Sequence, residues 1–219
     1  MSHPVTTGLL GGSFNPAHRG HRRISLFAAK ALGLDEVWWM VSPGNPLKDT
    51  ARDMAPLSAR LRSARAMARR APIKATAIEQ ALGTRFTVDT LAALVRRYPE
   101  RRFIWLMGSD NLAQFHRWKL WRRIAATMPI AVLARPGYEG PARASRAYAT
   151  LRRRVLPQGL ASHWTQWRPP ALVLLRFRPD SSSATAVRRA HPDWFRSFSS
   201  APLRDPVTHR MVRQGGITH

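Results

Sequence analysis

The chain moves between two hydrophobic rhythms. Short apolar runs at 5–11, 36–42, 102–107, 130–134 and 171–177 read as buried strands, with a weaker one at 73–78. Between them lie stretches with helical spacing. Over 17–32, Ile24, Leu26, Phe27, Ala28, Ala31 and Leu32 share a face, and Gly33 is a stop signal. Over 57–71 the arginines fall on the polar side. Over 87–98, Val88, Leu91, Leu94 and Val95 align, and 120–128 and a short segment from about Thr185 complete the set. Strands rich in Val, Ile and Leu that alternate with helices predict parallel strands joined by helical crossovers and buried on both faces. The expected class is α/β, a doubly wound and mostly parallel sheet. Ligands of such sheets bind beyond the carboxyl ends of the strands. The loops that begin at Gly11, Pro43, Gly108, Arg135 and Pro179 are therefore expected on one rim.

Two regions fit this rhythm less well. The Arg-rich stretch 140–170 suggests a helix and a loose connection. From 199 to 219 no periodicity remains, and this part is expected to be a poorly ordered tail behind a single domain over 1–198.

Composition narrows the chemistry. The 219 residues carry 36 Lys+Arg against 12 Asp+Glu, a net charge of +24, and 32 of the basic residues are Arg. A hydrophobic fraction of 44% is enough for a core and excludes a wholly disordered basic chain. With no Cys, thiolate metal sites, disulfides and cysteine nucleophiles are excluded. No apolar run reaches the roughly 18 residues of a membrane helix, and the first residues lack a signal-peptide pattern, so a cytoplasmic setting is expected. The charge points to polyanions: nucleic acid, anionic membrane or phosphorylated small molecules. An Arg-biased composition would leave the same surface without a dedicated partner.

The first strand opens into Gly11-Gly12-Ser13-Phe14-Asn15-Pro16-Ala17-His18-Arg19-Gly20-His21. Paired glycines admit close backbone approach, and a helix that begins near His18 offers free N–H donors and a partial positive charge to an anion. His18 and His21 are three apart and share the face of the first turn. Gly20 between them keeps that surface low. A Gly-rich turn with two exposed histidines is the bland alternative. G-x-G-x-x-G is absent, which removes the dinucleotide-dehydrogenase reading.

The pattern G-x-F-x-P-x-H-x-G-H resembles the signature of the HxGH nucleotidyltransferase superfamily. Further stretches resemble its nicotinate-mononucleotide adenylyltransferases, in the bacterial branch. Ser183-Ala184-Thr185-Ala186-Val187-Arg188 is similar to the S-S-T-x-I-R element, with Ala184 where the second Ser usually stands. Pro43 to Lys48 is similar to P-x-x-P-x-K, and Thr84 to Leu91 to S-Y-T-x-D-T-L, with Phe86 for Tyr. Gly108, Asp110 and Trp118 resemble G-x-D…W, and Arg135-Pro136-Gly137 the R-P-G after the next strand. The likeness runs from about Leu9 to Arg189.

The resemblance implies a Rossmann-like nucleotidyltransferase fold. It also implies adenylyl transfer from ATP to nicotinate mononucleotide, with pyrophosphate released. Catalysis would rest on His18, His21 and Arg188. ATP would meet Gly11, Gly12, Ser13, Phe14, Gly108, Asp110, Ser183 and Thr185. Nicotinate mononucleotide would meet Lys48, Arg135, the backbone N–H near Thr87, and Trp118 stacked on the pyridine ring. Mg²⁺ would be held mainly by ATP phosphates and water, so no protein metal ligand is assigned. The nucleophile, a phosphate, is already anionic, and no general base is needed.

Three rivals remain. Phosphopantetheine adenylyltransferases share the first motif but are shorter and lack the two middle elements. An aminoacyl-tRNA synthetase would need more chain. A basic nucleic-acid-binding protein without catalysis would explain runs such as Arg152-Arg153-Arg154, yet shows no recognition motif.

Overall fold

The computed structural model describes residues 3–44, 54–134, 137–177, 182–198 and 201–213. Among them seven strands form one sheet in the order β3-β2-β1-β4-β5-β7-β6, every neighbouring pair parallel. The strands are β1 (Val5–Gly12), β2 (Glu36–Val41), β3 (Ile73–Thr76), β4 (Arg101–Gly108), β5 (Ile130–Leu133), β6 (Val155–Leu156) and β7 (Leu172–Leu175). The helices are α1 (Arg19–Leu32), α2 (Leu57–Ala68), α3 (Ile78–Leu82), α4 (Thr87–Arg97), α5 (Ser109–Gln114), α6 (Trp121–Thr127), α7 (Glu139–Arg143), α8 (Arg146–Leu151) and α9 (Ala184–Ala190).

The sheet is buried on both sides because each strand sends alternate side chains to opposite faces. Trp38 and Trp39 show this directly. Trp39 joins the core with Leu10, Ala28, Leu32, Leu61 and Leu106, beneath α1 and α2. Trp38 joins Leu9, Val88, Leu91, Trp105 and Leu112, beneath α4 and α5. Both indoles are at most 1% exposed, and each N–H donates at 2.7 Å, Trp38 to Glu36 and Trp39 to Ser25. A buried indole donor left unpaired would be costly. α1 stops where expected: Gly33 takes a left-handed φ of 64°, and the following N–H, of Leu34, returns to Ala29 O at 2.9 Å.

The structure adds elements that periodicity did not reveal. α3 and α5 have five and six residues, too few for a periodic signal. The Arg-rich stretch 140–170 is more ordered than a helix and a loose connection. It contains α8, the two-residue β6, and 3₁₀ turns through Gln166. Trp164 anchors it, 2% exposed, with its N–H on Leu32 O at 2.9 Å.

The expected loose tail also needs correction. Residues 201–213 fold back as a strap closed by an antiparallel bridge between Arg204 and Met211, with Leu203 and Asp205 buried. Its hold on the body is polar, through one buried carboxylate and backbone carbonyls, which hydrophobic periodicity cannot register.

Candidate active site

All strands point the same way, so the carboxyl ends of β1, β2, β4, β5 and β7 share one rim. Lys48 and Arg135, and the Pro179 start of the last loop, lie outside the described residues. The remaining candidates can be placed.

The loop after β1 turns sharply. Phe14 has φ 46°, a left-handed value unusual for a bulky residue, and packing holds it there. It is 1% exposed and stacks on Trp39 at 5.1 Å. Gly12 faces the Phe14 ring, 3.3 Å from where a Cβ would stand, and a Cβ on Gly11 would meet Trp105 at 2.8 Å. The two glycines thus let aromatic side chains pack against the loop.

His18 is the N-cap of α1, and its own N–H donates to His21 Nδ1 at 3.2 Å. The two imidazoles sit 3.9 Å apart between centroids, and His21 also rests on Phe14 at 4.8 Å. This hydrogen bond makes Nδ1 of His21 an acceptor, which leaves Nε2 as the protonated, donating nitrogen of the neutral ring. Gly20 is explained by its neighbours: a Cβ there would lie 2.9 Å from the His18 ring and 3.2 Å from Ser182 O. The glycine therefore admits both the ring and the segment that leads into α9.

That segment completes the constellation. Ser183 caps α9 by accepting from Ala186 N at 3.1 Å. Arg188 donates to Asn15 O at 2.6 Å and to Thr185 Oγ1 at 3.4 Å. Residues 173 positions apart are thereby joined, and the two motifs face each other across one loop.

On the next stretch of rim, Asp110 lies in the first turn of α5, and a Cβ at Gly108 would collide with its carboxylate. A shallow open cleft continues from there, lined by Ser109, Leu112, Glu139, Arg143 and Arg176. Thr87 is the first residue of α4, and Phe86 is its N-cap. The N–H groups of Thr87 and Val88 precede the intrahelical ladder, whereas that of Asp89 already donates to Phe86 O at 3.0 Å. Trp118 is half-buried and makes edge contacts with Trp105 at 6.4 Å and Phe115 at 5.5 Å. Lys119 brings Trp118 to α4: its ammonium lies 4.2 Å over the Phe86 ring and 3.6 Å from Asp89.

Sequence reasoning missed Arg60 and Glu79. Arg60 is 1% exposed and donates to four backbone carbonyls, Ala55 and Ser13 at 2.8 Å, Ser42 at 2.7 Å and Pro43 at 3.5 Å. It ties the loops after β1 and β2 together from below. Burial alone lowers its pKa to about 10, and it stays cationic at neutral pH. Its one sequence signal is position: Arg60 lies between Leu57 and Ala64 at helical spacing, on the stripe that α2 buries.

Glu79, in α3, is also buried. Burial pushes its carboxyl up to about 7, which hydrogen bonds from Ser42 and Thr90 offset only in part. No signal in the sequence marks it.

Among the described residues no three His, Asp or Glu side chains gather as metal ligands, and no helix is long and apolar enough to cross a membrane.

Comparison with known proteins bears on the family and the fold. The cytidylyltransferase-like family model matches residues 9–190. An Erythrobacter litoralis protein named "Probable nicotinate-nucleotide adenylyltransferase" is 63% identical over 212 residues, covering 97% of this chain and 96% of its own length. A Cereibacter sphaeroides protein of the same name is 54% identical over 187 residues, covering 84% of this chain and 97% of its own. Among solved structures, the Plasmodium falciparum nicotinic acid mononucleotide adenylyltransferase complexed with NaAD aligns with a TM-score of 0.64 over 84% of this chain and 83% of that one. At 14% identity it shares the fold.

Proposed function

The chain belongs to the cytidylyltransferase-like family, and we propose that it transfers the adenylyl group of ATP to nicotinate mononucleotide in the cytoplasm. The products are nicotinate adenine dinucleotide and pyrophosphate. The relatives at 63% and 54% identity bear the name of this activity. The observation that carries the reading is the pairing of His18 and His21 with the start of α9 through Arg188 and Asn15. It makes a cationic, donor-rich pocket suited to a triphosphate.

The mononucleotide phosphate attacks the α-phosphorus of ATP in line. The P–O bond to pyrophosphate breaks as the new P–O bond forms. No proton has to be removed from the nucleophile, so catalysis consists of placement and charge stabilisation. His18 donates to the α-phosphate, where negative charge grows in the transition state. His21 Nε2, Arg188, Ser183 and Thr185 hold the leaving phosphates. Arg60 sets the spacing of the loops beneath them. Magnesium, arriving with ATP, would supply further charge neutralisation at the phosphates, and the residues assigned here hold the phosphates and not the metal.

At the other end of the rim, the first turn of α4 receives the nicotinate carboxylate with backbone N–H groups, helped by the helix dipole. Trp118 stacks on the pyridine ring. The family resemblance assigns Lys48 and Arg135 to nicotinate mononucleotide as well. Asp110 accepts from a ribose hydroxyl, and the cleft beyond α5 takes the adenosine.

Measuring pyrophosphate release with ATP and each candidate nucleotide tests the reading. Turnover is expected with nicotinate mononucleotide and much less with the amide. Turnover only with phosphopantetheine would replace it by the sibling activity. Salt-dependent DNA binding without turnover would replace it by the nucleic-acid reading.

A further inference from the structure

The strap at 201–213 returns to the body at one place, the corner formed by β3 and α3. Asp205 is 2% exposed and saturated with donors. Its carboxylate accepts from Thr76 Oγ1 at 2.9 Å on each oxygen, from Ala77 N at 2.6 Å, and from Val207 N and Thr208 N at 2.9 Å. One side chain thus orders its own turn and caps the entry to α3. The rest of α3 is held as well. Gln80 exchanges two hydrogen bonds with the backbone of Arg213, at 3.0 and 2.9 Å, and Arg210 donates to Ala81 O at 3.1 Å. The outer side of the strap is fixed to α2, where Arg62 and Arg65 donate to the carbonyls of Ala201 and Arg204. Leu203 and Val212 pack into one core face, and Val207 into the other.

A five-residue helix has little stability of its own. Its position is therefore set by what grips it. From α3 the contacts continue into α4. Thr84 N donates to Glu79 O at 3.0 Å, and Thr84 Oγ1 meets Thr90 Oγ1 at 2.8 Å. Thr90 Oγ1 lies 3.5 Å from Glu79 Oε1 and 3.2 Å from Phe86 O. The far end of this chain of contacts is the first turn of α4.

We infer that the strap is a positioning element for the mononucleotide: through Asp205, Gln80 and Arg210 it fixes α3, and through α3 the N–H groups of the first turn of α4. This rests on the reading that the turn receives the nicotinate carboxylate. The ATP side, built from the loop after β1 and the start of α9, is tied by Arg188 and Asn15 instead. Asp205, Gln80 and Arg210 touch no substrate, so their effect is on substrate placement.

The test uses the full chain and compares wild type with Asp205→Ala, Asp205→Asn and Gln80→Ala. Asp205→Ala is expected to raise KM for nicotinate mononucleotide about tenfold, with KM for ATP and kcat within about twofold. Asp205→Asn keeps the acceptor oxygen and recovers part of the loss. Gln80→Ala removes the tie to Arg213 and is expected to raise the same KM about threefold. It serves alone if Asp205→Ala does not fold. Equal changes in both KM values, or none, would overturn the inference. If the wild type does not use nicotinate mononucleotide, the functional reading fails by itself. Hydrogen exchange at the Thr84 and Thr90 amides then decides the strap: faster exchange in Gln80→Ala supports it, and unchanged exchange overturns it.

Discussion

Two buried glutamates sit at opposite ends of the sheet and have opposite fates. Glu36, the first residue of β2, lies at the amino ends of the strands. Burial raises its pKa, but hydrogen bonds from Lys74 and Trp38 and the charges of Lys74 and Arg101 outweigh it, and the net shift is downward. Lys74 approaches to 2.5 Å, and Arg101 bridges Glu36 to Thr7 of β1. Glu79 lies near the carboxyl ends, where burial wins and its pKa rises to about 7. At the lower end the cations meet a carboxylate. At the upper end Arg60 and Arg188 direct N–H groups to backbone carbonyls, and these contacts hold no carboxylate that would neutralise them. One end of the sheet is held by ion pairs, and the other by cations set on backbone carbonyls.

Substitutions can break that contrast, and His18→Ala is expected to have the largest effect. Loss of one transition-state donor should lower kcat about a hundredfold in a variant that still folds, with only the small loss of stability that goes with an altered N-cap. Near-normal turnover in a folded variant would take His18 out of the mechanism.

Glu79 comes next, through pH. Between its ordinary value of 4.5 and about 7, the unfolded chain has ionised this carboxyl and the folded chain has not. Stability should therefore fall as pH rises through that window, by about 3 kcal/mol for this group, and Glu79→Gln should flatten the slope. Urea melts from pH 4.5 to 8 measure it, and parallel profiles for variant and wild type would refute it.

Glu36→Gln should have a smaller effect of the opposite sign. The lowered pKa means that its stabilisation is present above 4.5 and is lost as pH falls through the folded value. At pH 7 the substitution should destabilise the fold, by less than the loss of one partner of a fully buried pair because Lys74 is half exposed, with kcat/KM unchanged. A fall in kcat/KM would show that the two ends are not independent.

Much of the fold was legible because its strands are short apolar runs and its long helices carry clear stripes. Val5–Gly12 and Arg19–Leu32 differ from expectation by one or two residues, within the normal fraying of element ends. The first and last motifs were legible because glycines, prolines and capping hydroxyls mark turns locally. What stayed hidden was non-local. Arg60 looks like any arginine of a basic helix until its carbonyl partners, from Ala55 to Ser13, come into view. Glu79 becomes a weak acid only because distant chain covers it. The strap reads as tail because one aspartate and a few backbone carbonyls do the work that a hydrophobic stripe does elsewhere.

The bond from Thr76 to Asp205 spans 129 positions of sequence. The bond from Arg188 to Asn15 closes an even longer stretch, 173 positions. Closing such loops is entropically demanding. Both ends of the rim, the loop after β1 and the corner at α3, therefore wait for chain made long after they have left the ribosome, and neither is finished while only the first half of the sheet exists.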